Sequence, residues 1–507
     1  MKTKKSFFNS LAVLLYYITS TILGIVSRKM IITILGIEYQ GINGLFSNIL
    51  SMLSIAELGI GTAIVYHMYR PLEKGDTFTI KALMHFYKKC YFIIGIVILS
   101  IGLLLMPFLK YLINDYSLSH SISFIYICFL LDSCCSYLFS YKRSILMADQ
   151  RNYIAVFCDL LFQIGGKLGQ LCILWLSHNF ILYLISMIFT RLANNVLISC
   201  VSNKYYPYLK DTNIIPVSSD ILSDITKKVK GSFFHKIATF IVLGTDNLLI
   251  SKFLGLTVMG IYSNYHLLIS TINSICSQIL TATTASIGHL LVENNQRKNH
   301  EIFMELQILN AGFINCAAAG IYCGTSSFIT IIFGESYILS EFTLLILSIN
   351  FCVQGMRTVY SIFKEAAGIL YEDRFIPLIE SMINLIVSLI LLHYLGLSGI
   401  FLGTIISSII LYSYTYPILV FRNVLGGKIR DYYKNIIWIS IIFLLSLITC
   451  KAICASIILE NKIYQFLLNC TISVFVSFFI FVCMYAGWKK ETKELIIKLK
   501  ALFNKRH

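Results

Sequence analysis

Residues Arg28–Pro71 read RKMIITILGIEYQGINGLFSNILSMLSIAELGIGTAIVYHMYRP. A glycine-punctuated turn joins two apolar segments here. The basic pair Arg28 and Lys29 lies late in the first, and Glu57 lies in the middle of the second. A charge at such depth in a bilayer costs about 2.5–3.5 kcal/mol on insertion scales. Each of these charges therefore needs a partner or a task.

The pattern continues outward from this stretch. The chain has 507 residues, 57% apolar and 13% charged, with a mean hydropathy of +0.77. Its apolar residues fall in blocks of about 20, the length that spans a bilayer as helix. The fold class implied is an all-α polytopic membrane protein, with almost no room for a soluble domain. About fourteen transmembrane helices are expected, over 8–35, 43–66, 90–112, 121–141, 153–176, 180–201, 233–254, 258–288, 307–333, 342–363, 375–395, 397–421, 433–455 and 464–487. Lys2, Lys4 and Lys5 precede the first apolar run as in a signal peptide, but no small-residue cleavage site follows, so a retained helix is expected.

Lysine and arginine fall on alternate loops. Thirty-one of the 41 lie in the tails and in every second connection, against Lys110, Lys252 and Lys462 in the others. The positive-inside rule then places both termini in the cytoplasm. The net charge of +16 is spread over these short loops, which argues against a nucleic-acid partner. Two connections read as surface helices. One follows Asp76, an N-cap, with Ile80, Leu83 and Tyr87 on one face; the other follows Ser219. The tail after Trp488 reads as a basic amphipathic helix for an anionic leaflet. The 15 cysteines form no CxxC pair and no Cys/His cluster, so neither a disulfide nor a metal is expected.

A repeat organises the chain. Leu35-Gly36 and Gly41-Ile42 recur, 219 residues on, as Leu254-Gly255 and Gly260-Ile261, each after the first helix of a six-helix block. Parallel repeats of this kind put a transport site between the halves. The expected division is a six-helix lobe with the start of a linker over 1–215, a second six-helix lobe over 216–425, two further helices over 426–488 and the cytoplasmic tail 489–507.

The seven basic residues not counted with the connections all lie inside expected spans: Arg28, Lys29, Lys167, Arg191, Lys236, Arg357 and Lys451. Lys236 and Lys451 lie close enough to span ends to snorkel. The other five are candidates for a basic, water-filled cavity that would take an anionic cargo, with guanidinium groups suited to phosphate. Glu57, Asp132 and Asp246 are candidate sites for a coupling proton or Na⁺. For each of the eight the alternative is a structural ion pair, and Arg28 with Asp246 is one such pairing. No Walker A, GxSxG or HExxH motif is present and every external loop is short. The expectation is a non-enzyme with no catalytic residues and no cofactor.

The residues Arg28, Gly36-Ile37-Glu38, Gly41-Ile42-Asn43-Gly44-Leu45, the run SIAELGIGTAI at 54–64 and YRPLEKGD at 69–76 carry a family resemblance. They resemble the bacterial oligosaccharide flippases of the Wzx-like polysaccharide transporter group in the MOP superfamily. The resemblance implies a MATE-like pair of six-helix lobes plus two C-terminal helices. It also implies translocation, by alternating access, of undecaprenyl-diphosphate-linked oligosaccharide across the bacterial cytoplasmic membrane, for capsule, O-antigen or exopolysaccharide. Arg28 matches the position of a basic residue in the family's first helix. Implied partners are the lipid-linked oligosaccharide, membrane lipids, a polysaccharide polymerase and assembly proteins. The rival readings are a multidrug or cation antiporter of the same superfamily, which would want an acidic cavity, and a lipid II flippase. A membrane glycosyltransferase or polymerase would need a large external catalytic loop.

Overall fold

Gly36 and Gly255 set the local geometry. The first has φ 103° and ψ 165°, the second φ 86° and ψ 170°. This region of backbone space is open essentially to glycine alone. Both copies of the repeat thus make the same sharp break between consecutive helices. The computed structural model describes residues 2–57, 59–113, 121–211, 216–281, 283–292, 295–369 and 372–488. It is all-helical, and no strand occurs among the described residues.

The described chain falls into two units, Met1–Asn264 and Tyr265–His507. In the first, α1 is Lys2–Leu35, α2 Ile37–Leu53, α3 Ile60–Lys74, α4 Thr77–Leu105, α5 Leu109–Leu112 and α6 Ile122–Tyr137. These are followed by α7 Arg143–Ala148, α8 Asn152–Ser177, α9 Phe180–Tyr205 and α10 Ser219–Leu249, and by α11 Gly255–Thr281, within which the unit boundary falls. The second unit continues with α12 Thr284–Val292, α13 Gln296–Ile332, α14 Glu341–Ala366, α15 Ile376–Leu395, α16 Leu397–Ile410, α17 Ile429–Ser456 and α18 Lys462–Trp488.

Eleven helices among the described residues are long and apolar enough to cross a membrane, and the chain is a multi-pass membrane protein. The expected stretches 43–66, 233–254 and 258–288 are also helical, in altered form. The first is broken: α2 ends at Leu53, a 3₁₀ turn carries Ser54–Glu57, and α3 starts after Gly59 in the left-handed region at φ 78°. The second becomes α10 and a π turn over Ile250–Leu254. The third, α11, is diluted by Ser263, Asn264, Ser270 and Asn273. Asp76 is an N-cap as expected, accepting from the Thr79 amide at 3.1 Å and the Thr79 hydroxyl at 2.5 Å. The helix it starts, however, runs unbroken to Leu105, so the expected surface helix and the span at 90–112 are one element. Ile80, Leu83 and Tyr87 are buried on that helix. The tail 489–507 lies outside the described residues.

Inside the first unit the two copies of the repeat cross each other. A Cβ on Gly41 would sit 2.1 Å from the Leu256 carbonyl oxygen, and one on Gly260 would sit 2.6 Å from that of Ile37. Backbone meets backbone at both points, the close approach that small residues permit between membrane helices. In the second unit, α15 and α16 turn at Gly396 and pack equally tightly, with Gly399 against the Leu391 carbonyl. Asn315 of α13 donates to Ser446 Oγ on α17 and to the Ser477 carbonyl on α18, both at 3.1 Å. Lipid offers no hydrophobic drive between helices, so buried hydrogen bonds of this kind help hold them together.

Candidate functional site

Arg28 lies on α1, two turns before the break at Gly36. Its Nη1 donates to the Ser263 carbonyl, to Ser263 Oγ at 3.2 Å and to Asn264 Oδ1 at 3.4 Å. Gln40 of α2, fully buried, donates to the same Ser263 Oγ at 3.1 Å. Among the described residues these acceptors are neutral. These contacts are made with α11, whereas Asp246, the alternative partner expected, lies on α10. Lys29, one residue on, is exposed.

Lys167 of α8 donates to the Tyr183 hydroxyl of α9 at 2.8 Å and to Gln170 Oε1 at 3.2 Å. Its ammonium also lies 5.3 Å from the Tyr183 ring centroid, a cation–π distance. The Tyr183 hydroxyl is 3.1 Å from Ser27 Oγ, the residue before Arg28. Gln170 donates onward to Thr190 Oγ1 at 3.4 Å. A continuous polar chain thus runs from α1 through α9 to α8, and its cation is held by neutral groups. Phe180 stacks on Tyr183 and meets Tyr39 of α2 edge-on, which fixes the tyrosine.

The other two arginines are neutralised. Arg191 forms a fork with Asp132 of α6, Nε to Oδ1 and Nη2 to Oδ2, both 2.9 Å. Asp132 is therefore already committed to an ion pair. Arg357 of α14 binds Glu380 of α15, Nη1 to Oε1 at 2.9 Å and Nη2 to Oε2 at 3.0 Å. Gln354 and Tyr416 complete the shell of Arg357 at 2.8 and 3.2 Å. Arg191 stays 46% exposed, whereas Arg357 is only 19% exposed. Since an arginine midway along a membrane helix avoids lipid, the open face of Arg191 is best satisfied by water.

Glu57 accepts from the Tyr91 hydroxyl at 2.7 Å, and Tyr87 donates to Tyr91 at 3.0 Å. Asp246 lies on α10, half-buried. Of the two discounted lysines, Lys451 sits 3.2 Å from Glu341, while the side chain of Lys236 lies outside the described residues. The second unit also holds an apolar cleft of about 290 Å³ between α14, α16 and α17, lined by Cys352, Met356, Ile405, Ile409 and Phe443 among others.

No protein-family model matches the sequence, and no curated protein does. Solved structures do match. A lipid II flippase MurJ in an inward closed conformation aligns with a TM-score of 0.66 at 14% identity, over 94% of this chain and 99% of that one. The fold is that of MurJ and the MATE transporters. An inward-facing multidrug resistance MATE family transporter of the MOP superfamily aligns with a TM-score of 0.63 at 14% identity, over 77% of this chain and 91% of that one. An outward-facing conformation of such a transporter gives 0.54 at 15% identity, over 80% and 92%.

Within this MurJ/MATE-like fold, several residues of the polar chain carry no ionisable signal. Tyr183, Gln170 and Gln40 went unread because neutral polar residues are common in apolar helices. A signal did exist. Gln170 and Thr190 belong to helices joined by the short turn at His178-Asn179, so they sit at similar depth.

Proposed function

We propose that the chain is a flippase that moves undecaprenyl-diphosphate-linked oligosaccharide across the bacterial cytoplasmic membrane by alternating access, with both termini cytoplasmic. One observation carries this reading. Arg28 and Lys167 are two half-buried cations whose partners among the described residues are all neutral, and Ser27, the residue before Arg28, bonds to the same Tyr183 hydroxyl that holds Lys167. A site with uncompensated positive charge suits an anionic cargo and disfavours a cationic drug. The diphosphate and its glycan cannot cross about 30 Å of hydrocarbon unaided. Arg28 and Lys167 would hold the diphosphate, with the exposed Lys29 adding positive potential, while Arg191 and Arg357, paired with Asp132 and Glu380, rank below them as candidates. Glu57, under Tyr91, is the favoured coupling site for a proton or Na⁺. Asp246 is the next candidate, and Asp132 follows because its carboxylate is engaged. A polymerase and assembly proteins would receive the product.

The experiment is export of lipid-linked glycan in cells carrying Arg28→Ala or Lys167→Ala. A charge-assisted contact worth about 1.5–3 kcal/mol predicts a loss of about tenfold or more in transport, with the protein still inserted and accumulating. Normal export in both variants overturns the reading. Lipid II is the second cargo considered, on the strength of the near full-length match to MurJ. Rescue of cells depleted of their lipid II flippase would select it, and rescue of a glycan-export defect alone would select the oligosaccharide.

A further inference from the structure

The second unit carries an exposed basic edge where α16 gives way to α17. Helix α16 continues as a π-helical segment, Leu411–Arg422, and a short turn leads into α17. Hydrogen bonds fix that turn. Gly426 stands in the left-handed region at φ 64°, and its amide donates to the Arg422 carbonyl at 3.1 Å. The Gly427 amide donates to the Phe421 carbonyl at 2.9 Å, and Phe421 and Leu425 are buried. Tyr432 and Tyr433 tie α17 back to the π-helical segment, their hydroxyls donating to the Tyr412 and Ser413 carbonyls at 3.0 and 3.3 Å.

On this scaffold Arg422, Lys428, Arg430 and Lys434 are all exposed. Among the described residues none of the four has an acidic partner. Other basic residues of the same unit are paired, Lys364 at 2.6 Å from Asp373 and Arg297 at 3.1 Å from Glu301. Within 422–434 the four cations stand against one carboxylate, Asp431, which forms an ion pair with none of them.

The depth of these charges follows from the helix that carries them. Arg430, Tyr433 and Lys434 share one face of α17 with Ile437, Ile441 and Ile448, at helical spacing. The three isoleucines are exposed, as lipid-facing residues of a spanning helix are. With a rise of 1.5 Å per residue, Lys434 stands about 4.5 Å and Arg430 about 10 Å beyond Ile437. Headgroups add about 5–7 Å on each side of the hydrocarbon. Lys434 therefore falls within the headgroup layer and Arg430 at its outer edge, from which a long side chain reaches in. Tyr433 lies at the boundary itself, where tyrosine is enriched.

We propose that this edge binds the headgroup of an acidic phospholipid, with Arg430 and Lys434 as its central cations and Arg422 and Lys428 flanking them. Charge complementarity selects the anionic headgroup, and the row of isoleucines below it receives the acyl chains. None of these residues belongs to the polar chain around Arg28 and Lys167, so the lipid is a bound partner and not the cargo.

The test uses the purified full chain in detergent, with phosphatidylglycerol and phosphatidylcholine each titrated by native mass spectrometry. Arg430→Gln combined with Lys434→Gln is compared with Lys88→Gln combined with Lys89→Gln, two exposed lysines of α4 in the first unit. Each cation removed at the edge is expected to weaken phosphatidylglycerol binding about fivefold, with the α4 pair and phosphatidylcholine binding unchanged. Arg430→Lys combined with Lys434→Arg, which keeps both charges, should retain binding. Equal losses in the two glutamine pairs, or no preference for phosphatidylglycerol over phosphatidylcholine, overturns the proposal. Displacement of phosphatidylglycerol by inorganic pyrophosphate beyond that by chloride at equal ionic strength also overturns it, in favour of a soluble anion. Should the Arg430 and Lys434 pair fail to accumulate, Lys434→Gln alone replaces it, and unchanged binding there overturns it equally.

Discussion

Asp132 and Glu380 each meet an arginine through both carboxylate oxygens, Asp132 by two hydrogen bonds and Glu380 by one hydrogen bond and one ion-pair contact, yet their surroundings differ. Glu380 is 4% and Arg357 19% exposed, while Arg191 keeps nearly half its surface open. Removing Glu380 leaves a guanidinium largely out of water, so Glu380→Ala should cost about 3–5 kcal/mol. Asp132→Ala leaves a cation that water reaches, and the loss should be about 0–1 kcal/mol. Denaturant unfolding of the detergent-solubilised variants measures both, and equal losses would refute the distinction. Gly61 supplies a second test at this scale. A Cβ there would lie 2.6 Å from the Tyr87 hydroxyl and 2.7 Å from Glu57 Oε1. Gly61→Ala should therefore push Glu57 off Tyr91 and alter any pH or Na⁺ dependence of transport, together with a stability loss of about 1–3 kcal/mol. That Arg191 and Arg357 lie within long apolar helices was legible from sequence, and their partners were not. Asp132 and Arg191 are 59 residues apart on different helices, and hydropathy reports depth in the membrane without reporting which way a helix face points.

At the scale of elements, glycine was the most readable residue. The repeat at 35–42 and 254–261 was visible because a backbone with φ near 90–100° tolerates little else, so the demand is local and survives in the sequence. The cap at Asp76 was readable for the same reason. Two hydrogen bonds from Thr79 hold its carboxyl below the usual aspartate range. A depressed carboxyl contributes stability above its ordinary pKa, and that contribution fades as pH falls through the lower folded value. Asp76→Ala should therefore destabilise by about 1 kcal/mol at neutral pH and by progressively less in acid, as followed by thermal unfolding across pH. The break at Ser54–Glu57 was missed because hydropathy averages over a window. The clue lay in SIAELGIG, where a carboxylate and two glycines fall within one turn and a half of helix.

At the scale of the whole molecule, charge placement and fold tell a consistent story. The MurJ-like fold covers almost all of the chain, and a fold alone does not fix a function, so the chain's own residues must bear that argument. Among the described residues, Arg191 of α9 and Arg357 of α14 are paired with acids, whereas Arg28 and Lys167 of the first unit are held by neutral groups. The loop asymmetry makes a separate prediction about orientation. Reporters fused after Gly75 and after Leu112 flank α4 and should report opposite sides of the membrane, the first cytoplasmic. Matching signals would refute the assigned topology. The glycine crossing of the first unit has a last consequence, in how its substitutions combine. Gly41 and Gly260 guard two ends of one approach between the same pair of backbones. Once a methyl group at either position has pried the helices apart, the other position has room. Gly41→Ala and Gly260→Ala should each be costly, and their double variant should cost clearly less than the sum. Strict additivity would mean that the duplicated contacts yield independently of each other.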